Sequence, residues 1–241
     1  MPSVKENLVK VTERIERAAR RSGRDLREIR LVAVSKTVDP VRIQEAIEAG
    51  ILILGENYVQ EAQKKIEAIG RAAAWHFIGH LQSNKAKLAV QLFDMIHSLD
   101  SIHLAEELNR RATQAGRVLP VMLEVNLARE ETKFGTDEVK LLNLAKRVGE
   151  LDHLSLQGLM TMPPFFDIAE QSRPYFIELR KWRERLEKEG ILVKELSMGM
   201  SNDFEVAIEE GATYVRVGTA IFGPRVSSKV KAERENNGFD L

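Results

Sequence analysis

The chain has 241 residues, 44% of them hydrophobic, and its 36 Lys and Arg residues balance 36 Asp and Glu residues. This composition supplies one large core, the balanced charge offers no global attraction to nucleic acid or an anionic bilayer, and the lack of cysteine excludes disulfides and thiolate metal sites. No apolar stretch reaches bilayer length and the polar start is not a signal peptide, so we expect a cytoplasmic protein that avoids the membrane, and the charged helix faces predict a monomer.

The first predicted element is an amphipathic helix. Ser3 and Glu6 fit a capping box, and Leu8, Val11 and Ile15 fall on one face at helical spacing. We expect this helix to pack on the outside of a sheet.

Short apolar segments rich in β-branched residues then alternate with patterns of period 3.6, which is typical of a parallel sheet with helical crossovers. Helices should begin near Pro40, Thr136 and Pro174. We predict eight strands, at residues 31–35, 51–54, 75–78, 93–97, 119–125, 156–161, 195–198 and 214–217.

Eight strands without a Gly/Ser linker or a break in composition favour a closed barrel over an open doubly wound sheet. The predicted fold class is therefore α/β, a (β/α)8 TIM barrel with an extra N-terminal helix. We expect a single domain over residues 1–241, in which 226–241 form a loose C-terminal tail.

Lys36 directly follows the first strand, at the face where the carboxyl ends of all barrel strands meet. Partial burial there would disfavour the ammonium form, which makes Lys36 a candidate Schiff base nucleophile. The alternative is an ordinary surface lysine.

A candidate anion site follows the last two strands. Ser201 and Asn202 precede a predicted helix, and Gly218 and Thr219 follow the eighth strand, where barrels of this type often bind phosphate. Each residue alone could be a helix cap or a turn, but together at one corner of the barrel they favour a phosphate.

Arg216 lies two residues before Gly218 on the same strand and should point into the barrel mouth. An ion pair with a barrel carboxylate is the competing explanation for an arginine there. A lysine amine, an arginine and a phosphate corner on neighbouring strands describe one compact ligand, pyridoxal 5'-phosphate (PLP).

Several ordered motifs carry a resemblance to a known family: AVSKT at 33–37, GENYVQE at 55–61, WHFIGHLQSNK at 75–85, GLMTM at 158–162, SMGMSND at 197–203 and RVGTAIFG at 216–223. Over nearly the whole chain they resemble the pyridoxal phosphate homeostasis protein family, which is similar to the barrel domain of alanine racemase. The resemblance implies Lys36 as the Schiff base lysine, Arg216 beside the pyridine nitrogen and Asn57 near the ring. It also implies Ser201, Gly218 and Thr219 around the phosphate, with Met198 in the same set of cofactor-binding residues.

Two positions depart from the racemase pattern. Met162 stands where the racemase barrel has a ring-stacking histidine, which implies a plainer apolar contact. Lys133 is similar in position to an arginine that lies near the phenolic oxygen in the racemase.

The resemblance implies a cofactor carrier that holds PLP and acts in intracellular PLP (vitamin B6) homeostasis, with PLP-dependent apoenzymes as recipients. An arginine at the pyridine nitrogen makes the ring a poor electron sink, and no second domain follows the eighth strand to supply the racemase's other base. The alternative is a PLP-dependent amino acid racemase that uses His80, Tyr58 or Lys133 instead. A Schiff base aldolase is less favoured because its lysine usually lies on a later strand. With a carrier as the favoured function, we assign no catalytic residue. We also assign no metal ligand, because His76 and His80 lack a carboxylate at ligand spacing.

Overall fold

The structure is a computed structural model that describes residues 2–128 and 134–224. Eight parallel strands close into one barrel in sequence order, and β8 pairs with β1. The predicted barrel is therefore confirmed. The strands are β1 (Arg30–Val34), β2 (Ile53–Glu56), β3 (Ala74–Phe77), β4 (Met95–Leu99), β5 (Leu119–Glu124), β6 (Leu154–Met160), β7 (Glu195–Ser197) and β8 (Tyr214–Val217).

Helices fill the connections on the outside of the barrel. They are α1 (Val4–Arg21), α2 (Pro40–Glu48), α3 (Val59–Ile69), α4 (Ala86–Leu92), α5 (Ile102–Gln114), α6 (Glu138–Gly149), α7 (Arg173–Lys188), α8 (Phe204–Glu209) and α9 (Thr219–Phe222). The helix expected near Thr136 begins at Glu138: the Asp137 side chain caps α6 by accepting from the Lys140 amide, while Thr136 bridges Val125. Thr136 exchanges backbone hydrogen bonds with Glu124 and Asn126 at the end of β5, and the helix begins after it.

The extra N-terminal helix is also confirmed. Ser3 and Glu6 form the capping box, with Ser3 Oγ accepting from the Glu6 amide at 3.1 Å. The apolar face of α1, which includes Leu8, Val11 and Ile15, is buried against α8, α9 and α2.

The barrel has two apolar layers. The larger one fills the space between strands and helices, and a smaller one lies inside the barrel around Val32, Met95, Met122, Met160 and Tyr214. Within the described ranges, no helix has the length and apolar composition that crossing a membrane requires. The expected tail at 226–241 lies outside the described residues.

Candidate functional site

A cavity of about 300 Å³ opens at the carboxyl ends of the strands, within the size range of small-molecule sites. It brings together residues of β1 and β8 and residues that follow β1, β2, β3, β6, β7 and β8. Six of the seven expected cofactor-binding residues line it: Lys36, Asn57, Ser201, Arg216, Gly218 and Thr219.

Lys36 lies in the turn between β1 and α2, and this turn is held on both sides. The Ser35 carbonyl accepts a hydrogen bond from Lys65 Nζ at 2.6 Å, and the Thr37 amide donates to Glu61 Oε1 at 2.6 Å. Thr37 has a φ of 63°, which is uncommon for a β-branched residue. The turn therefore adopts an unfavourable backbone conformation that these bonds stabilise.

Lys65 is the centre of a buried ionic cluster below that turn. Its ammonium lies 2.7 Å from Glu56 Oε1 and 2.7 Å from Glu61 Oε1, and Glu56 also accepts from Ser35 Oγ at 2.6 Å. Burial raises the pKa of Glu56 while the Lys65 ammonium opposes that rise. Sequence reasoning missed this cluster, because Glu61 and Lys65 have the i,i+4 spacing of an ordinary surface pair.

Asn57 follows β2 at the inner edge of the cavity. Its Oδ1 is buried and has no hydrogen-bond partner among the described residues, so a ligand donor could satisfy it. Gly79 makes this arrangement possible, because a Cβ there would lie 2.5 Å from the Asn57 carbonyl oxygen.

Arg216 is 3% exposed, and its guanidinium borders the cavity from below. It donates to Ser197 Oγ at 2.6 Å and to the Thr161 carbonyl at 2.8 Å. Burial lowers the pKa of Arg216 to about 10, against the attraction of Glu124 and Asp203. In the described parts of the chain its hydrogen bonds go to the neutral acceptors Ser197 Oγ and the Thr161 carbonyl oxygen, not to a carboxylate as the alternative ion pair would require.

Ser201, Gly218 and Thr219 form the expected corner between β7 and β8. The Gly218 amide donates to Ser201 Oγ at 3.3 Å, which ties the two loops together. The expected helix starts later than predicted: α8 begins at Phe204, so Ser201 lies in the preceding turn. Asn202 lines the cavity, and its side-chain amide donates to the Phe166 carbonyl at 2.8 Å.

Met198 is not brought to the cavity. Its side chain is fully buried in the outer core, on the opposite side of the chain from Ser197, which faces the barrel interior. Alternation along an extended strand explains why these neighbours diverge. Met162 does line the cavity, together with Phe165 and Phe166 from the loop after β6, which sequence reasoning did not single out.

A second cavity of about 490 Å³ adjoins the first and shares Asn57 and Met162 with it. His80 lines it, stacks on Phe134 with ring centroids 3.7 Å apart, and places Nδ1 3.5 Å from an Asp100 carboxylate oxygen. Burial raises the pKa of Glu124, which also lines this cavity, to about 7. Tyr58 lines it as well, whereas Lys133 lies outside the described residues.

No group of three or more His, Asp or Glu side chains in 2–128 and 134–224 is arranged to hold a metal ion. His76 points into the barrel interior, where it contacts His97, and His80 lies at the rim. The two histidines therefore do not share a site.

Residues 7–226 match the family model of the alanine racemase N-terminal domain. The chain is 46% identical to a pyridoxal phosphate homeostasis protein of Aquifex aeolicus, over 91% of this chain and 97% of the relative. It is 40% identical to the Escherichia coli K12 protein of that name, over 95% of this chain and 100% of the relative. PipY of Synechococcus elongatus, solved with PLP bound, superposes with a TM-score of 0.81 at 37% identity and covers 92% of this chain and 100% of its own.

Proposed function

This chain belongs to the pyridoxal phosphate homeostasis protein family, whose barrel is that of the alanine racemase N-terminal domain, and on that premise we propose that it binds PLP as a Schiff base on Lys36. We further propose that it acts in intracellular PLP homeostasis as a carrier, without strong catalysis of its own. The observation that carries the proposal is the convergence of Lys36, Arg216 and the corner of Ser201, Gly218 and Thr219 on one cavity.

The donors and acceptors of the cavity fit PLP. Ser201 and Thr219 offer hydroxyls and Gly218 offers backbone at the corner where this class of barrel commonly binds phosphate. The orphaned Oδ1 of Asn57 is an acceptor at the cavity wall, and Met162 and Phe165 supply apolar surface for a ring. The cavity therefore has a charged or polar side for an anion and an apolar side for an aromatic ring.

PLP supplies an aldehyde that condenses with an amine and a pyridine ring that can take up electrons. The role of the protein is to hold Lys36 at the cavity through the turn bonds to Ser35 and Thr37, so that its amine faces the ligand. Arg216 presents a cation that can donate but cannot accept a proton, which keeps a neighbouring ring nitrogen unprotonated. These residues favour retention of the cofactor over its use as an electron sink.

The test is direct detection of the covalent bond. Purified protein is incubated with PLP, the visible absorption band is recorded, and the complex is reduced with borohydride, digested and mapped by mass spectrometry. We expect the adduct on Lys36, and no band in Lys36→Ala at a PLP concentration that saturates the wild type. Lys87→Ala, which removes an exposed lysine at another position, is the matched control and should keep both the visible band and the adduct on Lys36. An adduct mapped to a different side chain would overturn the assignment.

The second cavity favours keeping one alternative, a PLP-dependent amino acid racemase. Tyr58 and His80 line that cavity, which shares Asn57 and Met162 with the first, so an acid or base could approach a substrate from there. Incubating the PLP complex with L-alanine in deuterated water separates the two functions. Catalytic exchange of the α-proton would support the racemase, and its absence over many hours would support the carrier.

Delivery to PLP-dependent apoenzymes follows from the carrier role. We expect the preloaded protein to restore activity to a recipient apoenzyme faster than it releases PLP spontaneously into solution. Restoration no faster than that release would argue for storage instead of directed delivery.

A further inference from the structure

A continuous chain of hydrogen-bonded polar side chains crosses the interior of the barrel below the candidate cofactor cavity. His76 Nδ1 lies 2.9 Å from His97 Nε2, His97 Nδ1 lies 2.9 Å from Ser197 Oγ, and Ser197 Oγ accepts from Arg216 at 2.6 Å. The four residues come from β3, β4, β7 and β8, and none is more than 5% exposed. We call this set the interior relay.

The relay is surrounded by apolar side chains. Met95, Met122 and Met160 form the inner layer with Val32 and Tyr214, whose ring meets His97 edge-on at 5.3 Å between centroids. Polar groups in such a setting are costly unless each is hydrogen-bonded. A four-residue chain in which consecutive members are bonded is therefore a specific arrangement that core packing alone would not produce.

Arg216 and the need to satisfy the buried Ser197 hydroxyl together suggest the direction of hydrogen bonding along the relay. A guanidinium only donates, so Ser197 Oγ accepts from it. The buried hydroxyl proton of Ser197 also needs an acceptor, and among the residues that the structure describes its other partner is His97 Nδ1, so we infer that this nitrogen accepts the serine proton. His97 then carries its proton on Nε2 and donates to His76 Nδ1, so His76 also carries its proton on Nε2.

The surroundings keep both rings neutral, as this order requires. Burial lowers the pKa of His97 well below its usual value, and His76 and Arg216 lower it further. Burial also lowers the pKa of His76 to about 4, with Arg30 acting in the same direction and Asp94 against it.

We propose that Ser197 and His97 are positioning residues for Arg216, and that the relay has a single proton order, from Arg216 through Ser197 and His97 to His76. Without the serine, the guanidinium loses one of its two hydrogen-bond acceptors among the described residues and keeps the Thr161 carbonyl. The consequence for PLP rests on the proposed function, because it requires that Arg216 faces the cofactor ring.

The proton order is tested on the cofactor-free protein by nitrogen-15 NMR of the imidazole rings. We expect both His76 and His97 to be the tautomer protonated on Nε2. Protonation on Nδ1 in either ring would overturn the order. This measurement on the wild type requires neither a variant nor cofactor, so failure of the proposed function would not affect it.

The positioning role is tested with Ser197→Ala and a matched control, Ser98→Ala. Ser98 is also a fully buried serine, next to His97 on β4, but its Oγ has no partner among the described residues. In Ser197→Ala we expect the His97 tautomer to become mixed, the pH titration of the bound cofactor's visible band to move, and PLP to bind about tenfold more weakly, as for one lost bond to a charged donor. Ser98→Ala should match the wild type in all three.

If Ser197→Ala and Ser98→Ala give the same tautomers and the same cofactor titration, the positioning role is wrong. A wild-type protein that never binds PLP would refute the proposed function. The histidine tautomers would still show whether the proton order proposed for the interior relay is right.

Discussion

Replacing Lys65 with methionine should destabilise the cofactor-free protein strongly, because it leaves a buried carboxylate without its cation. The side chain of Lys65 is 6% exposed and that of Glu56 is fully buried, so water cannot replace the lost contact at 2.7 Å. The Ser35 carbonyl loses a donor at the same time, two residues before the strained Thr37 in the turn that contains Lys36. Methionine keeps the length of the side chain, so the change removes charge and hydrogen bonds more than packing.

The expected loss in free energy of unfolding is about 3–5 kcal/mol, the range for removing one partner of a buried ion pair. Glu56 makes the expected loss of stability larger, because its Oε2 already has no hydrogen-bond partner among the described residues. The loss should be smaller at low pH. Burial raises the pKa of Glu56, and removing Lys65 removes the group that opposes this rise, so the carboxyl can protonate and avoid an unpaired charge.

Urea unfolding followed by circular dichroism measures the effect, at about pH 8 and about pH 5, with Lys64→Met as the control. Lys64 neighbours Lys65 on α3 but is exposed, so its replacement should change stability by less than about 0.5 kcal/mol. The double variant Lys65→Met/Glu56→Gln should recover part of the loss, since the amide carries no charge. A loss below about 1 kcal/mol at pH 8, or an equal loss at both pH values, would refute the argument.

Two further predictions concern the anion corner and acid stability. Ser201→Ala combined with Thr219→Ala should weaken PLP retention by about 1–3 kcal/mol for each lost charge-assisted bond, measured by equilibrium dialysis, and unchanged affinity would place the phosphate elsewhere. The pKa of His76 is about 4 instead of the usual 6.5, so the unfolded chain binds more protons between these values and His76 costs stability as pH falls through that window, in total about 3 kcal/mol. Glu124, with a pKa of about 7, makes stability rise as pH falls between 7 and 4.5, which is the opposite dependence. The effect of His76 is therefore isolated by comparing the pH dependence of the unfolding free energy in His76→Gln and the wild type. Identical profiles in the two proteins would contradict the prediction.

The strands were predictable because each is a short apolar segment between helical patterns. Residues 214–217 were predicted with the bounds that β8 has in the structure, whereas β2 runs from Ile53 to Glu56 and is displaced by two residues from the predicted 51–54. The displacement has a physical reason. Apolar content placed the strand at Ile51 and Leu52, but Leu52 is 75% exposed, and pairing with β3 carries the strand on through Gly55 to the charged Glu56.

The polar interior was not predictable from a single sequence. Lys65 and Glu61 have the spacing of a surface pair on a helix, and only the packing of α3 against β2 turns them towards Glu56. His76 and His97 lie 21 residues apart and each reads as an isolated histidine in an apolar strand. Their contact depends on the register of β3 against β4, which pairs His76 with Met95 and brings the rings together inside the barrel.

The site as a whole argues for holding a cofactor by two separate attachments. Lys36 follows β1, while Ser201, Gly218 and Thr219 follow β7 and β8, and β8 pairs with β1 to close the barrel. In the proposed complex, PLP would bridge this seam, bound covalently to Lys36 on one side and by its phosphate on the other. The two attachments share no side chain, so each can be removed separately: Lys36→Ala should retain phosphate-dependent affinity without the visible band, and the Ser201 and Thr219 variants should retain the band with faster cofactor loss. Under the proposed carrier role this division would be useful, because breaking the covalent bond alone would leave the cofactor held by its phosphate until a recipient binds.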